Sequence, residues 1–267
     1  MSFVTVESPR EGVALVTLNR PERMNAMAFD VMIPFREELA KVGNDNSTRV
    51  VVVTGAGHGF CSGADHEDAG IVPNIDGLTV PTIALRAMEL LDDVITTIRK
   101  MHQPVIAAVN GAAIGGGFCL ALACDVRIAS EAAYFRAAGI NNGLTASELG
   151  ISYLLPRAVG SSRAAEIMLS GRDVDAREAE RIGLVSQVAE HDALLETCYV
   201  LADRIIGFSR PGIELTKRML WDSLDASSLG AHMHHEGIAQ LFVRLTTQNF
   251  EESVRARKEK RPPVFLD

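Results

Sequence analysis

The chain has 267 residues, 47% hydrophobic and 22% charged, with a net charge of −8. That balance excludes a largely disordered chain and suits one sizeable core with room for an appendage. The acidic excess also excludes a general nucleic-acid binder, which needs a basic face to displace counterions, but an anionic small ligand stays possible because a helix N-terminus and a few local cations suffice to hold one.

In chain order, Met1 to Glu7 reads as a strand. It has neither the basic nor the apolar region of a secretory leader, and no apolar run reaches membrane-spanning length, so a cytoplasmic protein without membrane insertion is expected. Val13-Ala-Leu-Val-Thr-Leu18 is a short β-rich run, and residues 26–42 carry a helical pattern. Val50-Val-Val-Val-Thr54 is apolar on both faces, as in a covered parallel sheet. Met88, Leu91, Ile95 and Ile98 follow a helical period. Pro104 to Val109 is a second buried strand, followed by a glycine turn and a short helix over 117–123, and Asp125 to Ala129 is strand again. Such alternation predicts an α/β fold with parallel pairing.

Beyond about residue 145 the pattern predicts helices over 147–156, 161–170 and 176–182, with a strand from Leu184 to Val188. From Asp192 it is helical throughout. Leu194, Cys198, Leu201 and Ile205 make one apolar stripe, and Pro211 suits a first helical turn. The expected division is a β/α core over 1–190 and a helical segment over 191–267. Cys61, Cys119, Cys124 and Cys198 form no CxxC pair and read as reduced thiols.

Several chemistries lack their motif. Gly55-Ala-Gly57-His-Gly59 has Phe60 where a dinucleotide fingerprint needs its third glycine. There is no phosphate loop, and Cys61 stands where a serine-hydrolase elbow needs serine. His235-Glu236 lacks the second histidine of a zinc peptidase. The nearby His232, His234 and His235 have no supporting ligand beyond Glu236, so no metal is assigned.

Two glycine-bearing stretches stand out at strand ends: Gly59-Phe-Cys-Ser-Gly-Ala-Asp65 and Asn110-Gly-Ala-Ala-Ile-Gly-Gly-Gly-Phe118. Small residues let a ligand approach the backbone. Two such bends could each aim one N–H at a single oxygen and form an oxyanion hole, although each could equally be a tight structural turn.

These stretches occur among others in a telling order: Leu18-Asn-Arg-Pro21 with Asn25-Ala26, Val53-Thr-Gly55, Pro104 to Gly117, Cys124-Asp-Val-Arg-Ile-Ala129, Leu155-Pro-Arg-Ala-Val-Gly160, Gly171-Arg172, Glu178 to Val185, and Lys258 to Phe265. Over nearly its whole length the chain resembles the crotonase (enoyl-CoA hydratase/isomerase) superfamily. The resemblance implies a spiral of ββα units with a helical C-terminal segment that builds homotrimers, often paired into hexamers. It implies an acyl-CoA thioester as ligand, with coenzyme A entering as part of the substrate and no tightly bound cofactor. Ala64 and Gly116 would supply the oxyanion N–H groups. Asp65, His66 and Glu67 would line the ligand channel. Glu22, Arg23, Met24 and Ala26 would cradle the nucleotide end, and Lys258 would reach the CoA phosphate. The segment from His66 to Pro81 would cover the acyl pocket.

The chain departs from the hydratase pattern at both acid/base positions. Cys119 stands where the first glutamate would be, and Gly139, in Phe135-Arg-Ala-Ala-Gly139, replaces the second. A thiol has the wrong pKa and reach to stand in for a carboxylate, and glycine has no side chain. Glu148 is the best replacement. It lies near where the family's haloaryl-CoA dehalogenase branch carries its reactive aspartate, and Ser152-Tyr153 matches a pair of that branch. Thr145-Ala-Ser-Glu148 also reads as a capping box, and both readings stand at this point. His66 is the second proton carrier to consider. The expected activities are therefore enoyl-CoA hydration, a double-bond shift, or hydrolase or dehalogenase chemistry, with a catalytically silent acyl-CoA binder as the alternative.

Overall fold

The computed structural model describes residues 2–266, so Met1 of the opening strand lies outside them. The chain folds in repeated strand–strand–helix units. The first comprises β1 (Val4–Arg10), β2 (Val13–Leu18) and α1 (Phe29–Asn44); the second β3 (Val50–Gly55), β4 (Gly59–Cys61) and α2 (Val80–Lys100). The third has β5 (Val105–Val109), β6 (Ala112–Ile114) and α3 (Gly116–Ala123); the fourth β7 (Val126–Ser130), β8 (Tyr134–Arg136) and α4 (Ile151–Val159). Then follow α5 (Ser161–Ser170), β9 (Val174–Asp175), α6 (Ala176–Arg181), β10 (Gln187–Ala189), α7 (Leu194–Ile206), α8 (Arg210–Asp222), α9 (Leu229–Thr246) and α10 (Asn249–Glu259).

In units two to four the first strand joins a six-stranded sheet, β1-β2-β3-β5-β7-β10, and the second joins a four-stranded sheet, β4-β6-β8-β9. Each unit therefore steps once along both sheets, which produces the expected ββα spiral. Strand periodicity explains how the large sheet is covered. Val51, Val53, Ala107 and Val109 face the main core under α1 to α4, whereas Val50, Val52, Ile106, Ala108 and Ile128 face Leu194, Cys198 and Ala202 of α7. A strand buried on both faces can be valine throughout, as β3 is. Among the described residues no helix is long and apolar enough to cross a membrane.

Several boundaries differ from the sequence expectation, each for a local reason. The two glycine stretches are not simple turns, since each contains a short strand, β4 or β6, and these pair in parallel. Three-residue strands of glycine and alanine carry no periodicity to detect. The first helix begins at Phe29 rather than residue 26, because Met27 is extended and bridges Ala64. The strand expected at 184–188 lies at 187–189, since Leu184 and Val185 both donate to the carbonyl of Ala179 in a turn that closes α6. The expected break near residue 190 falls between β10 and α7, yet α7 packs on the sheet with the core. The helices beyond it begin at Arg210, with Pro211 in the first turn as expected.

Candidate active site

The site starts from the way residues 63–65 are tethered. The Met27 N–H donates to the Gly63 carbonyl at 2.7 Å, and the Asp65 N–H donates to the Met27 carbonyl at 3.2 Å. Both groups therefore point toward Met27. Across the trans peptide the Ala64 N–H is antiparallel to the Gly63 carbonyl and so points away from Met27. The preceding strand β4 pairs with β6 through Cys61 and Ala113. Just beyond those strands the two chains nearly touch: a Cβ placed on Gly63 would stand 2.6 Å from the Ile114 carbonyl oxygen and 3.4 Å from the Gly116 nitrogen. Only glycine permits this approach.

Gly116 is the first residue of α3, and helix starts leave their N–H groups without intrahelical acceptors. Gly115 precedes it at φ 52°, ψ −119°, a conformation open in practice to glycine alone. Its own N–H donates to the Arg136 carbonyl at 2.9 Å, which fixes the bend. Among the described residues, neither the Ala64 nor the Gly116 N–H has a main-chain or side-chain acceptor. All eight residues of α3 are buried, so the Gly116 N–H and the helix dipole act in a low-dielectric setting where they are strong, whereas Ala64 is exposed.

Glu148 enters this place. Its Oε1 lies 3.2 Å from where a Cβ on Gly115 would stand, so the carboxylate sits against the bend itself. It is half-buried. Burial pushes its pKa above the ordinary glutamate range, and the nearby His66 imidazole offsets part of that rise. The capping-box reading fails. The helix starts after Gly150, not at Thr145, and no side chain caps it. Thr145 Oγ1 instead donates to the Ser147 carbonyl at 3.2 Å. Leu149 and Gly150 both take left-handed φ values, 45° and 82°, and no helix can run through them. The carboxylate is thereby free of the helix end.

At the two positions where the resemblance implies the hydratase glutamates, the structure holds a closed bend and a buried thiol. A Cβ on Gly139 would stand 1.9 Å from the Thr145 carbonyl oxygen, so this backbone admits no side chain there. Cys119 is buried, its thiol raised well above the usual range by burial, and its Sγ lies 3.5 Å from the Glu148 carbonyl oxygen.

The other expected residues fall into two groups. Asp65 does not line an open channel: its side chain is 2% exposed and clamped by Arg20 at 3.0 Å and Arg23 at 2.5 Å. Hydrogen bonding to Arg23 chiefly holds its carboxyl far below the usual range. Its Oδ1 also accepts the N–H groups of Glu67 and Asp68, so Asp65 shapes the backbone just after Ala64. Arg23 is further engaged by Glu67, while Glu22 and Met24 are exposed and Ala26 is buried. His66 is exposed, with Nε2 3.5 Å from Asn142 Nδ2. The segment following it is tied to α1 by the Phe29 N–H, which donates to the Ala69 carbonyl. Lys258 stands apart on α10, in a groove with Arg244, Phe250 and Val254. Tyr153 turns toward the C-terminal helices and donates to Asp225. Asn142 and Leu149 were not legible beforehand, since neither a loop asparagine nor a left-handed leucine has a sequence signature.

Comparison with known proteins gives a consistent pattern. The family model described as enoyl-CoA hydratase/isomerase matches residues 8–267. "Probable enoyl-CoA hydratase EchA12" of Mycobacterium tuberculosis (strain ATCC 25618 / H37Rv) is 70% identical over 267 residues, covering 100% of this chain and 94% of that protein. A crystal structure of a probable enoyl-CoA hydratase/isomerase from Mycobacterium abscessus superposes with a TM-score of 0.96 at 70% identity, covering 99% of this chain and 98% of that one. A second, described as a monofunctional enoyl CoA isomerase from M. smegmatis, has a TM-score of 0.75 at 64% identity and covers 87% of this chain and 99% of that one.

Proposed function

The chain belongs to the enoyl-CoA hydratase/isomerase family, and on that footing we propose that it shifts the double bond of an enoyl-CoA thioester with one carboxylate, Glu148, and two main-chain donors, Ala64 and Gly116. The observation that carries this reading is a single half-buried carboxylate of raised pKa, set against the glycine bend that precedes Gly116. Hydration by the family's usual route needs two carboxylates to activate water and deliver its proton. A 1,3-proton shift needs one group that takes a proton and returns it.

The Glu148 carboxylate removes a proton from C2 of a 3-enoyl thioester. The electron pair of the broken C–H bond moves onto the thioester oxygen, where the Ala64 and Gly116 N–H groups stabilise the dienolate. Glu148 then returns the proton to C4, so the C3=C4 bond is lost and C2=C3 forms. Atoms and electrons balance without water, metal or redox partner, and coenzyme A takes part only as the thioester handle. Its nucleotide lies over the turn from Glu22 to Ala26. The exposed side chains of Leu220, Leu229, Met233, Leu241 and Phe242 support assembly as a homotrimer or a dimer of trimers through α8 and α9.

The test is a short trans-3-enoyl-CoA incubated with the enzyme in D2O. The conjugated 2-enoyl product is expected to form much faster than 2-enoyl-CoA is hydrated under the same conditions. Hydration as fast as isomerisation, or binding with no isomerisation, overturns the reading.

Restoring a glutamate at the vacated position gives a further prediction. Gly139→Glu is expected to gain no hydratase activity and to lower the melting temperature, because the new Cβ collides with the Thr145 main chain. A variant that hydrates crotonyl-CoA and melts with the wild type would show that the 139–145 bend yields.

A further inference from the structure

Glu148 is held through its carbonyl and through the residue that follows it. Leu149, 6% exposed, keeps φ at 45°, a left-handed conformation unfavourable for a bulky L-residue and worth retaining only where the surroundings enforce it. Its Cδ1 lies 3.4 Å from where a Cβ on Gly116 would stand, so the strained residue packs on the oxyanion-side glycine. In the adjoining peptide the Glu148 carbonyl accepts the Ile151 N–H at 2.9 Å, and Cys119 Sγ stands 3.5 Å from the same oxygen. Cys119 is fully buried, so it acts as a neutral S–H donor and not as a nucleophile.

We infer that Leu149 and Cys119 are positioning residues that lock Glu148 and Gly116 into one rigid unit, so that proton carrier and oxyanion donor keep their spacing through the reaction. This inference rests on Glu148 being the proton carrier. It gives Cys119, at the first vacated glutamate position, a definite role, which is to hold the main chain of the replacement carboxylate. The same lock keeps that carboxylate turned inward, facing His66 from the segment after β4 and Cys119 from α3.

Four variants test it: Cys119→Ala removes the donor, Cys119→Ser keeps one, Leu149→Gly keeps the left-handed backbone but removes the contact on Gly116, and Glu148→Gln is the reference. Displacement of a reacting group by a fraction of an ångström lowers turnover strongly. With a 3-enoyl-CoA, Cys119→Ala and Leu149→Gly are expected to lose about tenfold in kcat with KM unchanged, and Cys119→Ser to recover most of it. The acid limb of the pH–rate profile should also move down in both damaged variants, because a released carboxylate reaches water; a merely structural role would not shift that limb. Should Leu149→Gly fail to fold, the Cys119 pair decides alone. Unchanged kcat and acid limb in Cys119→Ala, with Glu148→Gln inactive, overturn the inference and leave the function reading intact. An active Glu148→Gln overturns both.

Discussion

Glu148→Gln is expected to lower enoyl-CoA isomerisation by roughly 10²- to 10⁴-fold, the usual worth of a positioned acid/base, while acyl-CoA affinity is retained. The amide keeps the shape of the side chain and its place against Gly115, but it cannot carry a proton between C2 and C4. The wild-type rate should follow the ionised form of Glu148, so activity falls as pH drops through a pKa that burial has raised. Stability should respond in the opposite sense. A carboxyl with a folded-state pKa above its unfolded value contributes fully at low pH, and that contribution is lost as pH rises through the folded value. At neutral pH the ionised Glu148 is therefore a burden, and Glu148→Gln should melt slightly above the wild type. Loss of turnover with a gain in melting temperature marks a residue kept for chemistry. Wild type and variant binding acyl-CoA alike, with neither turning it over, would favour a silent acyl-CoA binder. Full turnover by the variant would place the proton on another group, and a covalent adduct on Glu148 found by mass spectrometry would favour hydrolase or dehalogenase chemistry.

The second large effect concerns Asp65. Asp65→Ala leaves Arg20, 6% exposed, without the partner 3.0 Å away. Removing one member of a buried ion pair strands the other charge, and about 3 kcal/mol of stability should be lost. Asp68, 3.5 Å from Arg20 but largely exposed, compensates only in part. The pH dependence has a definite sign. Because Asp65 is held below its unfolded pKa, its contribution is present above the ordinary carboxylate range and is lost as pH falls toward the depressed folded value. The stability gap between wild type and Asp65→Asn, read from denaturant midpoints, should thus be full at neutral pH and narrow on acidification. Activity should fall too, since Asp65 Oδ1 fixes the two amides that follow the Ala64 bend. Equal denaturant midpoints at neutral pH would show that the Arg20 environment relaxes without a partner.

Much of this could be read along the chain because it depends on local pattern. The valine run of β3 announced a strand covered on both faces, and it is. The stripe from Leu194 to Ile205 announced the buried face of α7, although not that α7 belongs against the sheet. The glycines of the two bends marked places where backbones meet, since only glycine removes the Cβ that would obstruct them. Cys119 and Gly139 could be read as departures from the hydratase pattern that the resemblance implies.

What the chain alone left undecided was where Glu148 would point. Thr145-Ala-Ser-Glu148 satisfies the local rule for a helix cap as well as any segment does, and the rule fails only because Leu149 and Gly150 are left-handed. A leucine does not choose that conformation by itself; it occurs here where Leu149 packs against Gly116 and where Cys119, 29 residues from Glu148, meets the Glu148 carbonyl. The exclusion of every side chain at 139 likewise comes from the main chain of Thr145 folding back. Sequence determined which residues could do the chemistry, through short-range propensity and spacing. Tertiary structure decided their aim, burial and pKa, because these are set by neighbours distant along the chain.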